Sequence, residues 1–349
     1  MRKPSIFRGN GYTVLFTIGL AALTAFVFMD TFIFAHSIAV VETDAVTQES
    51  AAISSETDDT AQDDATAGQT AEQTGTDTAV ATAAGTASET ETTASEEATT
   101  SSEPVLTDTS YVSDDMSITI LTLRINNTDV YVADIQLSSA DLLQTALAQG
   151  VYGTNVTETT STIAAENDAI FAINGDYYGA NKRGYVIKNG VVYRDTVRQG
   201  DDTEDLVIYA DGTFDIIDET EVSAQELVDD GVVQLFAFGP ALVEDGEITV
   251  SKSEEVAGAS TSNPRTAIGI VDALHYIVVV SDGRTSESDG LTLYELASVM
   301  QQYGCTTAYN LDGGGSSTMV FAGEVVNNPT TNGKNITERS VSDIVYISA

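Results

Sequence analysis

The chain has 349 residues and a formal net charge of −39, because 53 acidic residues stand against only 14 lysines and arginines. The basic residues form no run, so the sequence lacks the basic footprint that nucleic-acid binding requires, and no nucleic-acid partner is predicted. Cys305 is the single cysteine, which excludes an intramolecular disulfide and a cysteine-based metal cluster.

The N-terminal residues predict a membrane anchor. Residues 12–29 carry no charge, and apolar residues continue to position 35, which gives roughly the 20 residues that a spanning helix needs. Three basic residues precede this stretch and acidic residues follow it, so the positive-inside rule places residues 1–11 in the cytoplasm. We therefore predict a single-pass cell-membrane protein with its anchor over 12–35 and an extracellular C-terminal domain.

A cleaved signal peptide is the alternative interpretation of the same residues. Ala35-His36-Ser37 resembles a small-x-small cleavage site. The apolar stretch is, however, longer than the usual 7 to 15 residues of a signal peptide, which favours an uncleaved anchor. Both interpretations export the rest of the chain.

An acidic stalk is predicted to follow over residues 36–115. From Glu42 to Asp115 the chain has 18 Asp or Glu and no Lys or Arg, and threonine, alanine and serine make up most of the remainder. Such a composition cannot bury enough apolar surface to offset the entropy of ordering, so disorder is predicted. Residues 116–349 remain for folded structure, enough for one sizeable core.

The folded part begins with strand patterns and turn signals. Period-two alternation predicts a hairpin of strands 117–125 and 129–135 around Asn126-Asn127. A capped helical turn over 138–143, a helix over 159–166 and a buried strand over 168–173 are predicted next. Further hairpins are expected at three dipeptides that each lie between apolar stretches, Asn189-Gly190, Asp211-Gly212 and Asp245-Gly246.

The C-terminal half adds a strand pair, a helix and two more strands. Residues 265–271 and 275–280 predict paired strands. Apolar residues on one face predict a helix over 291–303, in which Glu295 is interpreted as a capping or solvated residue. Strands are predicted at 305–310 and 319–322. The fold class is α+β, with a mixed, largely antiparallel sheet and packed helices.

A glycine-rich loop is the clearest candidate site. Residues 310–319 read Asn-Leu-Asp-Gly-Gly-Gly-Ser-Ser-Thr-Met and lie between two predicted strands. Three consecutive glycines are kept where the backbone turns sharply or approaches another group closely. Neither a dinucleotide-binding motif nor a phosphate loop is present. A plain glycine hairpin with a solvated Asp312 is the structural alternative.

Three apolar strands end in polar residues and glycine, and the loop is one of these three ends. If the strand ends meet, they assemble carboxylates beside arginines. Arginine can hold a phosphate oxygen through paired N–H donors, and carboxylates can stabilise or attack an oxocarbenium-like centre or act as acid or base. Such a set suits hydrolysis of a glycosyl phosphodiester. The residues concerned are Asp176, Asp282, Arg284, Asn310 and Asp312, together with Arg265 and Arg339 at other strands.

The sequence resembles the phosphodiester glycosidase family, the domain found in the enzyme that uncovers mannose 6-phosphate by removing N-acetylglucosamine. The resemblance covers residues 163–347, and residues 117–162 are similar to the N-terminal extension of bacterial members labelled exopolysaccharide-associated. It rests on six segments in the family's order: Asn174-Gly175-Asp176-Tyr177-Tyr178, residues 264–269, Asp282-Gly283-Arg284, residues 290–297, residues 310–319 and Arg339-Ser340-Val341.

The resemblance implies that a sugar is cleaved from a phosphodiester. It implies Asp312 and Asp176 as catalytic residues. The substrate-binding residues that it implies are Asn174, Arg265, Asp282, Arg284, Asn310, Gly314 and Ser316. The cysteine-rich domains of the animal enzyme have no counterpart here, so a phosphate-bearing glycan of the cell surface is the expected partner. A non-catalytic domain that binds envelope polysaccharide is the alternative function.

Cofactors are left open by the sequence. The two histidines, His36 and His275, are too few for a multi-histidine metal site. A calcium ion held by oxygen ligands is compatible with so acidic a domain, although no EF-hand spacing is present. The sequence predicts no specific cofactor, and calcium is the divalent cation considered.

Overall fold

The computed structural model describes residues 36–37, 103–200, 203–253 and 262–349. The predicted anchor over 12–35 and most of the predicted stalk lie outside the described residues. Among the helices of the described part, none combines the length and hydropathy that a membrane crossing requires.

Strands dominate the described chain, and helices are few. The helices are α1 (Thr160–Glu166), α2 (Ala224–Asp229) and α3 (Leu293–Gln302). The strands are β1 (His36–Ser37), β2 (Val105–Leu106), β3 (Ser110–Val112), β4 (Met116–Ile125), β5 (Thr128–Leu137), β6 (Gln144–Leu147), β7 (Gly153–Thr154), β8 (Ala169–Asn174), β9 (Val186–Lys188), β10 (Val191–Arg194), β11 (Glu204–Tyr209), β12 (Phe214–Asp218), β13 (Val232–Phe236), β14 (Ala241–Glu244), β15 (Glu247–Ile248), β16 (Arg265–Asp272), β17 (His275–Ser281), β18 (Thr307–Asn310), β19 (Met319–Phe321), β20 (Glu324–Val325) and β21 (Asp343–Ser348).

Two large sheets organise these strands. The nine-stranded sheet has the order β15-β14-β18-β16-β17-β5-β4-β3-β2, and the five-stranded sheet has the order β20-β19-β8-β21-β6. Smaller sheets pair β12-β11-β13, β10-β9 and β1-β7. Neighbouring strands within both large sheets run antiparallel, which confirms the strand-rich α+β class.

The main core lies between the two large sheets. It combines β17 residues such as Tyr276 and Val278 with Phe171 and Ile173 of β8. The alternate β17 residues, including Ile277, pack on the other face of the nine-stranded sheet with residues of α3. Because both faces of β17 are covered, its sequence is a continuous apolar run rather than an alternating one.

Helix α1 covers the outer face of the five-stranded sheet. Ile163 and Ala164 of the helix pack there with Ala172 of β8. The described layers are therefore helix α3, nine-stranded sheet, five-stranded sheet and helix α1. Helix α2, in the part of the chain where the sequence predicts mainly short strands and turns, packs with β9, β11 and β13.

The folded part starts before residue 116, which corrects the predicted boundary. β2 and β3 lie within the last residues assigned to the acidic stalk, and β3 pairs with β4. Tyr111 is buried in the main core. These two strands were missed because their short apolar segments are embedded in an acidic composition that is typical of disorder.

Candidate active site

The strand ends that the sequence singles out do meet. β16 is antiparallel to both of its neighbours, so its first residue, Arg265, lies opposite Ser281 at the end of β17, and Ala267 lies opposite Asn310 at the end of β18. The end of β8 reaches the same place from the other sheet, because Nδ2 of Asn174 donates a 2.7 Å hydrogen bond to the carbonyl of Asp312. The site therefore lies where the two large sheets join.

The glycine-rich loop, residues 311–318, makes this junction. It leaves the nine-stranded sheet after β18 and enters the five-stranded sheet at β19. Gly314 has φ +64°, and a Cβ at this position would lie 2.8 Å from Nη2 of Arg284. Glycine is required here because the backbone is left-handed and packs directly against the arginine.

Asp312 is held by an ion pair with Arg339. Nη2 of Arg339 donates to both carboxylate oxygens, at 3.1 and 3.2 Å, and to the Gly313 carbonyl at 2.9 Å. Nε of Arg339 donates to the Ser316 hydroxyl at 2.9 Å. Burial raises the pKa of Asp312, and the charge of Arg339 opposes the rise. A carboxylate with a raised pKa accepts a proton more readily near neutral pH.

A cleft of about 670 Å³ opens beside Asp312. Asp312 is the only acidic side chain among the described residues that line it. Six of the chain's 14 basic residues are in its walls: Lys182, Arg183, Arg198, Arg265, Arg284 and Arg339. Arg198 is paired with the buried carboxylates of Asp205 and Glu219, and Arg339 is paired with Asp312. The remaining basic side chains give this concave surface a positive charge, which is the electrostatic pattern of an anion site.

Two of these arginines are fixed in place before any ligand arrives. Arg265 is 3% exposed, and its Nε donates to the Leu291 carbonyl at 3.1 Å. Arg284 donates to Oδ1 of Asn263 from Nη2 at 2.9 Å and from Nε at 3.1 Å, and its Nη1 donates to the Thr331 carbonyl at 2.8 Å. Burial and the nearby Arg339 lower the pKa of Arg284, as expected where like charges converge.

Asp176 is fixed by main-chain donors. Its Oδ1 accepts from the N–H of Tyr178 at 2.9 Å, and its Oδ2 accepts from the N–H of Ala237 at 3.0 Å. The residue is 2% exposed. Nζ of Lys188 lies 3.9 Å from Oδ2, so the carboxylate is rigidly placed beside a buried cation.

Lys188 is shared with a second buried carboxylate. Its Nζ lies 2.7 Å from Oδ2 of Asp343, donates to the Leu235 carbonyl at 3.1 Å and lies 3.8 Å from the ring centroid of Phe236. Gly175 makes room for this cluster, because a Cβ there would lie 2.5 Å from Oδ1 of Asp343. Asp176, Lys188 and Asp343, which we call the buried charge cluster, therefore place one cation between two carboxylates.

A smaller cleft of about 260 Å³ lies on the other side of the Asp312–Arg339 pair. Tyr177, Asp312 and Arg339 line both clefts, whereas Asp176 lines only the smaller one. The ion pair is thus the border between a strongly cationic cleft and a cleft that contains both predicted catalytic carboxylates.

The profile of the family described as Phosphodiester glycosidase matches residues 167–348, just over half of the chain. The chain belongs to the phosphodiester glycosidase family. The matched range contains every candidate site residue, including both carboxylates and all the arginines that border the clefts.

Relatives of this phosphodiester glycosidase domain include a bacterial protein and animal enzymes. The chain is 34% identical over 200 residues to the SPbeta prophage-derived uncharacterized protein YomE of Bacillus subtilis (strain 168), a match covering 56% of this chain and 30% of YomE. It is 31% identical over 123 residues to N-acetylglucosamine-1-phosphodiester alpha-N-acetylglucosaminidase of Mus musculus, a match covering 31% of this chain and 24% of that enzyme. The matches thus span less than a third of the length of these relatives.

A solved structure shares the fold of the phosphodiester glycosidase domain. It is the zebrafish N-acetylglucosamine-1-phosphodiester alpha-N-acetylglucosaminidase catalytic domain, auto-inhibited by its pro-peptide. The TM-score is 0.53 at 21% sequence identity, and the alignment covers 67% of this chain and 83% of the zebrafish chain. At this identity the comparison supports the fold alone.

Five of the nine predicted site residues line the clefts of the phosphodiester glycosidase domain. These are Asp176, Arg265, Arg284, Asp312 and Gly314. The other four line neither cleft. Ser316 is nevertheless in direct contact with the site, because it accepts the hydrogen bond from Nε of Arg339.

The side-chain amide of Asn174 holds the glycine-rich loop in place through hydrogen bonds. Its Oδ1 accepts from the hydroxyl of Thr266 at 2.8 Å and from the N–H of Thr318 at 3.2 Å. Its Nδ2 donates to the carbonyls of Asp312 and Gly175. The four hydrogen-bonding positions of the amide are filled by protein, so Asn174 positions the loop and is not placed to touch substrate.

Asp282 and Asn310 also stabilise the loops around the site without lining either cleft. Oδ1 of Asp282 accepts from the N–H of Asn328 at 2.7 Å, and Oδ2 accepts from its amide at 2.8 Å. Nδ2 of Asn310 donates to the Gly239 carbonyl at 2.7 Å. Both residues lie at the ends of buried strands, which is why the sequence groups them with the site. Asp282 is 3% exposed and Asn310 is 1% exposed, and their side chains form hydrogen bonds to neighbouring loops.

Several residues of the site were not among those predicted from the sequence. Tyr177 and Phe238 line the larger cleft, and their rings meet edge to face with centroids 5.7 Å apart. Lys188 and Asp343 form the buried charge cluster with Asp176. A lysine in an apolar strand, Val-Ile-Lys, was the available signal for Lys188, because a lysine is rarely buried unless it is paired.

No group of three or more histidine, cysteine, aspartate or glutamate residues in the described ranges could hold a metal ion. The buried charge cluster carries its own cation, Lys188, between its two carboxylates. The calcium considered from composition stays an untested prediction.

Stability is expected to fall as pH rises from about 4 to about 7, through Asp343. Burial raises the pKa of Asp343 to about 7, against the charge of Lys188, and the carboxylates of Asp176 and Asp312 add to the rise. The folded protein keeps a proton that an unfolded aspartate releases near pH 4, so this stabilising contribution is lost as pH rises through the folded-state pKa.

Urea unfolding of the native chain and of Asp343→Asn across this pH range measures the effect. Asn imitates the protonated form, so its curve lacks the fall of a few kcal/mol. The effect of Asp343 is read from the difference between the two stability curves, because other groups also titrate in this range. Hydrogen bonds lower the pKa of Asp211, Asp218 and Glu226, so these groups make stability rise with pH. Parallel curves for the two proteins would contradict the assignment.

Proposed function

We propose that this protein hydrolyses a glycosyl phosphodiester, releasing the sugar and leaving a phosphate monoester. The observation that carries the proposal is the gathering of six basic side chains around Asp312 in a protein with 53 acidic residues. The name of the mouse relative supports the substrate class, an N-acetylglucosamine-1-phosphodiester.

The arginines are proposed to bind and stabilise the phosphate. Arg265 and Arg284 are held by carbonyl and amide oxygens at 2.8 to 3.1 Å, so their positive charge is pre-organised. A phosphate monoester leaves as an anion and needs no proton from the enzyme at neutral pH. Their charge therefore stabilises the leaving group in place of a general acid.

The two carboxylates are proposed to act on the sugar side. The bond between the anomeric carbon and the phosphate oxygen breaks, and its electron pair goes to the phosphate. A water oxygen bonds to the anomeric carbon, and Asp312, with its raised pKa, takes the water proton and passes it to solvent. Asp176, fixed by two N–H donors, stabilises the oxocarbenium-like transition state.

The domain is proposed to act outside the cell, anchored through residues 12–35, on a phosphate-bearing polysaccharide of the cell surface. The support is the uncharged stretch and the basic residues before it. Protease treatment of intact cells is expected to remove the domain from the surface. A domain left untouched would contradict the proposed location.

Turnover is tested with the full chain and a panel of sugar 1-phosphodiesters that vary in sugar and in acceptor. Release of free sugar together with a phosphate monoester is the expected result. Saturable binding of panel members with no product after long incubation would contradict the hydrolase and favour a domain that only binds envelope polysaccharide.

Arg284→Gln is expected to weaken inorganic phosphate binding by about tenfold or more. The loss of a charge-assisted hydrogen bond costs roughly 1.5–3 kcal/mol. Isothermal titration calorimetry measures the dissociation constant, and Lys252→Gln, which lines neither cleft, is the matched control. Equal affinity of Arg284→Gln and the control would show that phosphate does not bind in the larger cleft.

A further inference from the structure

We propose that the smaller cleft is the glycosyl subsite and receives one neutral sugar ring, while the phosphate lies across the Asp312–Arg339 pair in the larger cleft. This inference rests on the proposed function for its substrate class. It adds which part of the substrate occupies which cleft, and which residues recognise the sugar.

The charge of the two clefts separates the two parts of the substrate. Of the described residues lining the smaller cleft, Arg339 is the only cation, and it is paired with Asp312. Asp176 adds a second carboxylate, whereas the larger cleft has five further cations, of which Arg198 is paired with Asp205 and Glu219. The larger cleft therefore attracts a phosphate more strongly than the smaller cleft does.

The lining of the smaller cleft suits a polyhydroxyl ligand. Thr157, Ser340 and Ser342, which carry hydroxyl groups, line two of its walls, and hydroxyls both donate and accept hydrogen bonds. The carboxylates of Asp176 and Asp312 accept from sugar hydroxyls. Neutral polar groups and carboxylates together recognise a sugar without needing a ligand charge.

The volume of the smaller cleft suits a ligand of about one sugar ring. Pockets for drug-sized ligands enclose roughly 300–1,000 Å³, and the smaller cleft encloses about 260 Å³. The larger cleft, at about 670 Å³, has room for a phosphate together with the group esterified to its other side. The two volumes match the unequal halves of a glycosyl phosphodiester.

The smaller cleft is built from three segments that main-chain hydrogen bonds tie together. The N–H of Asn155 donates to the Gly179 carbonyl at 3.1 Å, and Glu158 and Val341 exchange two main-chain bonds of 3.0 and 2.7 Å. These bonds join residues 155–158 to the 176–180 segment and to the 339–342 segment. A ligand thus enters a cleft whose walls are already ordered, which lowers the entropic cost of binding.

The residues that line both clefts indicate where the bond that breaks would lie. Tyr177 is 41% exposed, lines both clefts and is supported by the ring of Phe238, so it offers an aromatic surface to the apolar face of a sugar. A substrate that fills both clefts must cross this border. The bond between the sugar and its phosphate then lies beside Asp312, the residue assigned as proton acceptor.

The test compares variants that either fill the smaller cleft with a bulky side chain or remove a positive charge from the larger cleft. Free monosaccharides and inorganic phosphate are the probes. Thr157→Trp fills the smaller cleft from the 155–158 segment, and Ser340→Trp fills it from the 339–342 segment that is hydrogen-bonded to it. Thr122→Trp, on an exposed position of β4, is the matched control. Dissociation constants of the full-length proteins are measured by calorimetry, or by ligand-observed NMR where binding is weak.

Both filling variants are expected to weaken monosaccharide binding by about tenfold or more and to leave phosphate binding within about twofold of the native value. Arg284→Gln is expected to show the reverse pattern. Phosphate binding lost in parallel with sugar binding, sugar binding unchanged in both variants, or no saturable sugar binding by the native chain would each overturn the subsite.

Failure of the subsite and failure of the proposed function are distinguishable. A native chain that binds monosaccharides in the expected pattern but never releases product would overturn the hydrolase and keep the sugar site. Native turnover that both filling variants retain, with an unchanged KM, would keep the hydrolase and overturn the sugar site.

Discussion

Asp312→Asn is expected to lower turnover of a sugar phosphodiester by about 10³-fold or more, with the fold intact. The amide keeps the size of the carboxylate and can still accept from the N–H of Gly313, but it cannot take a proton from water. General base catalysis contributes typically 10²–10⁴-fold, and the loss of a transition-state charge adds to this. Steady-state kinetics measure the effect.

The matched control is Asp272→Asn, at the opposite end of β16 from Arg265 and on the surface. It makes the same chemical change away from both clefts and is expected to retain native kinetics. Stability of Asp312→Asn should equal or exceed the native value, because a desolvated charge is removed. Native turnover by Asp312→Asn would contradict its assignment as the proton acceptor.

Lys188→Met is expected to lower the free energy of unfolding by about 3–5 kcal/mol. Nζ of Lys188 is the cation between Asp176 and Asp343, at 3.9 and 2.7 Å, and the three side chains are at most 1% exposed. Methionine fills a similar volume but leaves the two carboxylates without their cation, and removing one partner of a buried ion pair costs roughly this amount. Urea denaturation above the folded-state pKa of Asp343, where its carboxylate is ionised in the native protein, measures the change.

Two further variants separate charge from packing in the buried charge cluster. Lys334→Met, at an exposed position, is the control and should change stability by less than about 0.5 kcal/mol. Adding Asp343→Asn to Lys188→Met removes one of the two like charges and is expected to restore part of the stability. A loss below about 1 kcal/mol in Lys188→Met would show that the cluster is not an ion pair of consequence.

Local signals in the sequence predicted most of the described elements. The hairpin at Asn126-Asn127 forms with both residues at positive φ, as asparagine tolerates. Helix α3 begins at a capping box in which Thr292 and Glu295 satisfy each other's main-chain N–H groups, which confirms the capping interpretation of Glu295. Helix α2 begins with a similar box of Ser223 and Glu226, a signal that was present but not used.

The assembly of the strand ends was predicted, but the role of each residue there was not. Residues that follow apolar strands were grouped as site residues, and antiparallel pairing does bring them to one edge. Whether a side chain faces a cleft or braces a loop depends on contacts between distant segments. Asn174, for example, contacts Thr266 and Asp312, 92 and 138 residues away.

The buried charge cluster shows the same limit more strongly. Lys188 lies at the end of β9 in a two-stranded sheet, and Asp343 begins β21 in the five-stranded sheet. Their pairing therefore exists only once these two sheets have packed together. The larger, cationic cleft could not be predicted for the same reason. Its six basic residues are spread from Lys182 to Arg339 and form no run in the sequence. The net charge of −39 describes the whole chain and therefore gave no indication of a locally positive surface.

Hydrolysis in water enriched in ¹⁸O tests the central claim most directly, using a diester from the panel that the native chain cleaves. Glycosidic cleavage breaks the bond between the anomeric carbon and oxygen, so the water oxygen enters the sugar and the phosphate monoester is predicted to carry no ¹⁸O. Mass spectrometry of the phosphate product decides, since its oxygens do not exchange with water under these conditions. One ¹⁸O atom in the phosphate would show that water attacks phosphorus and would contradict a phosphodiester glycosidase.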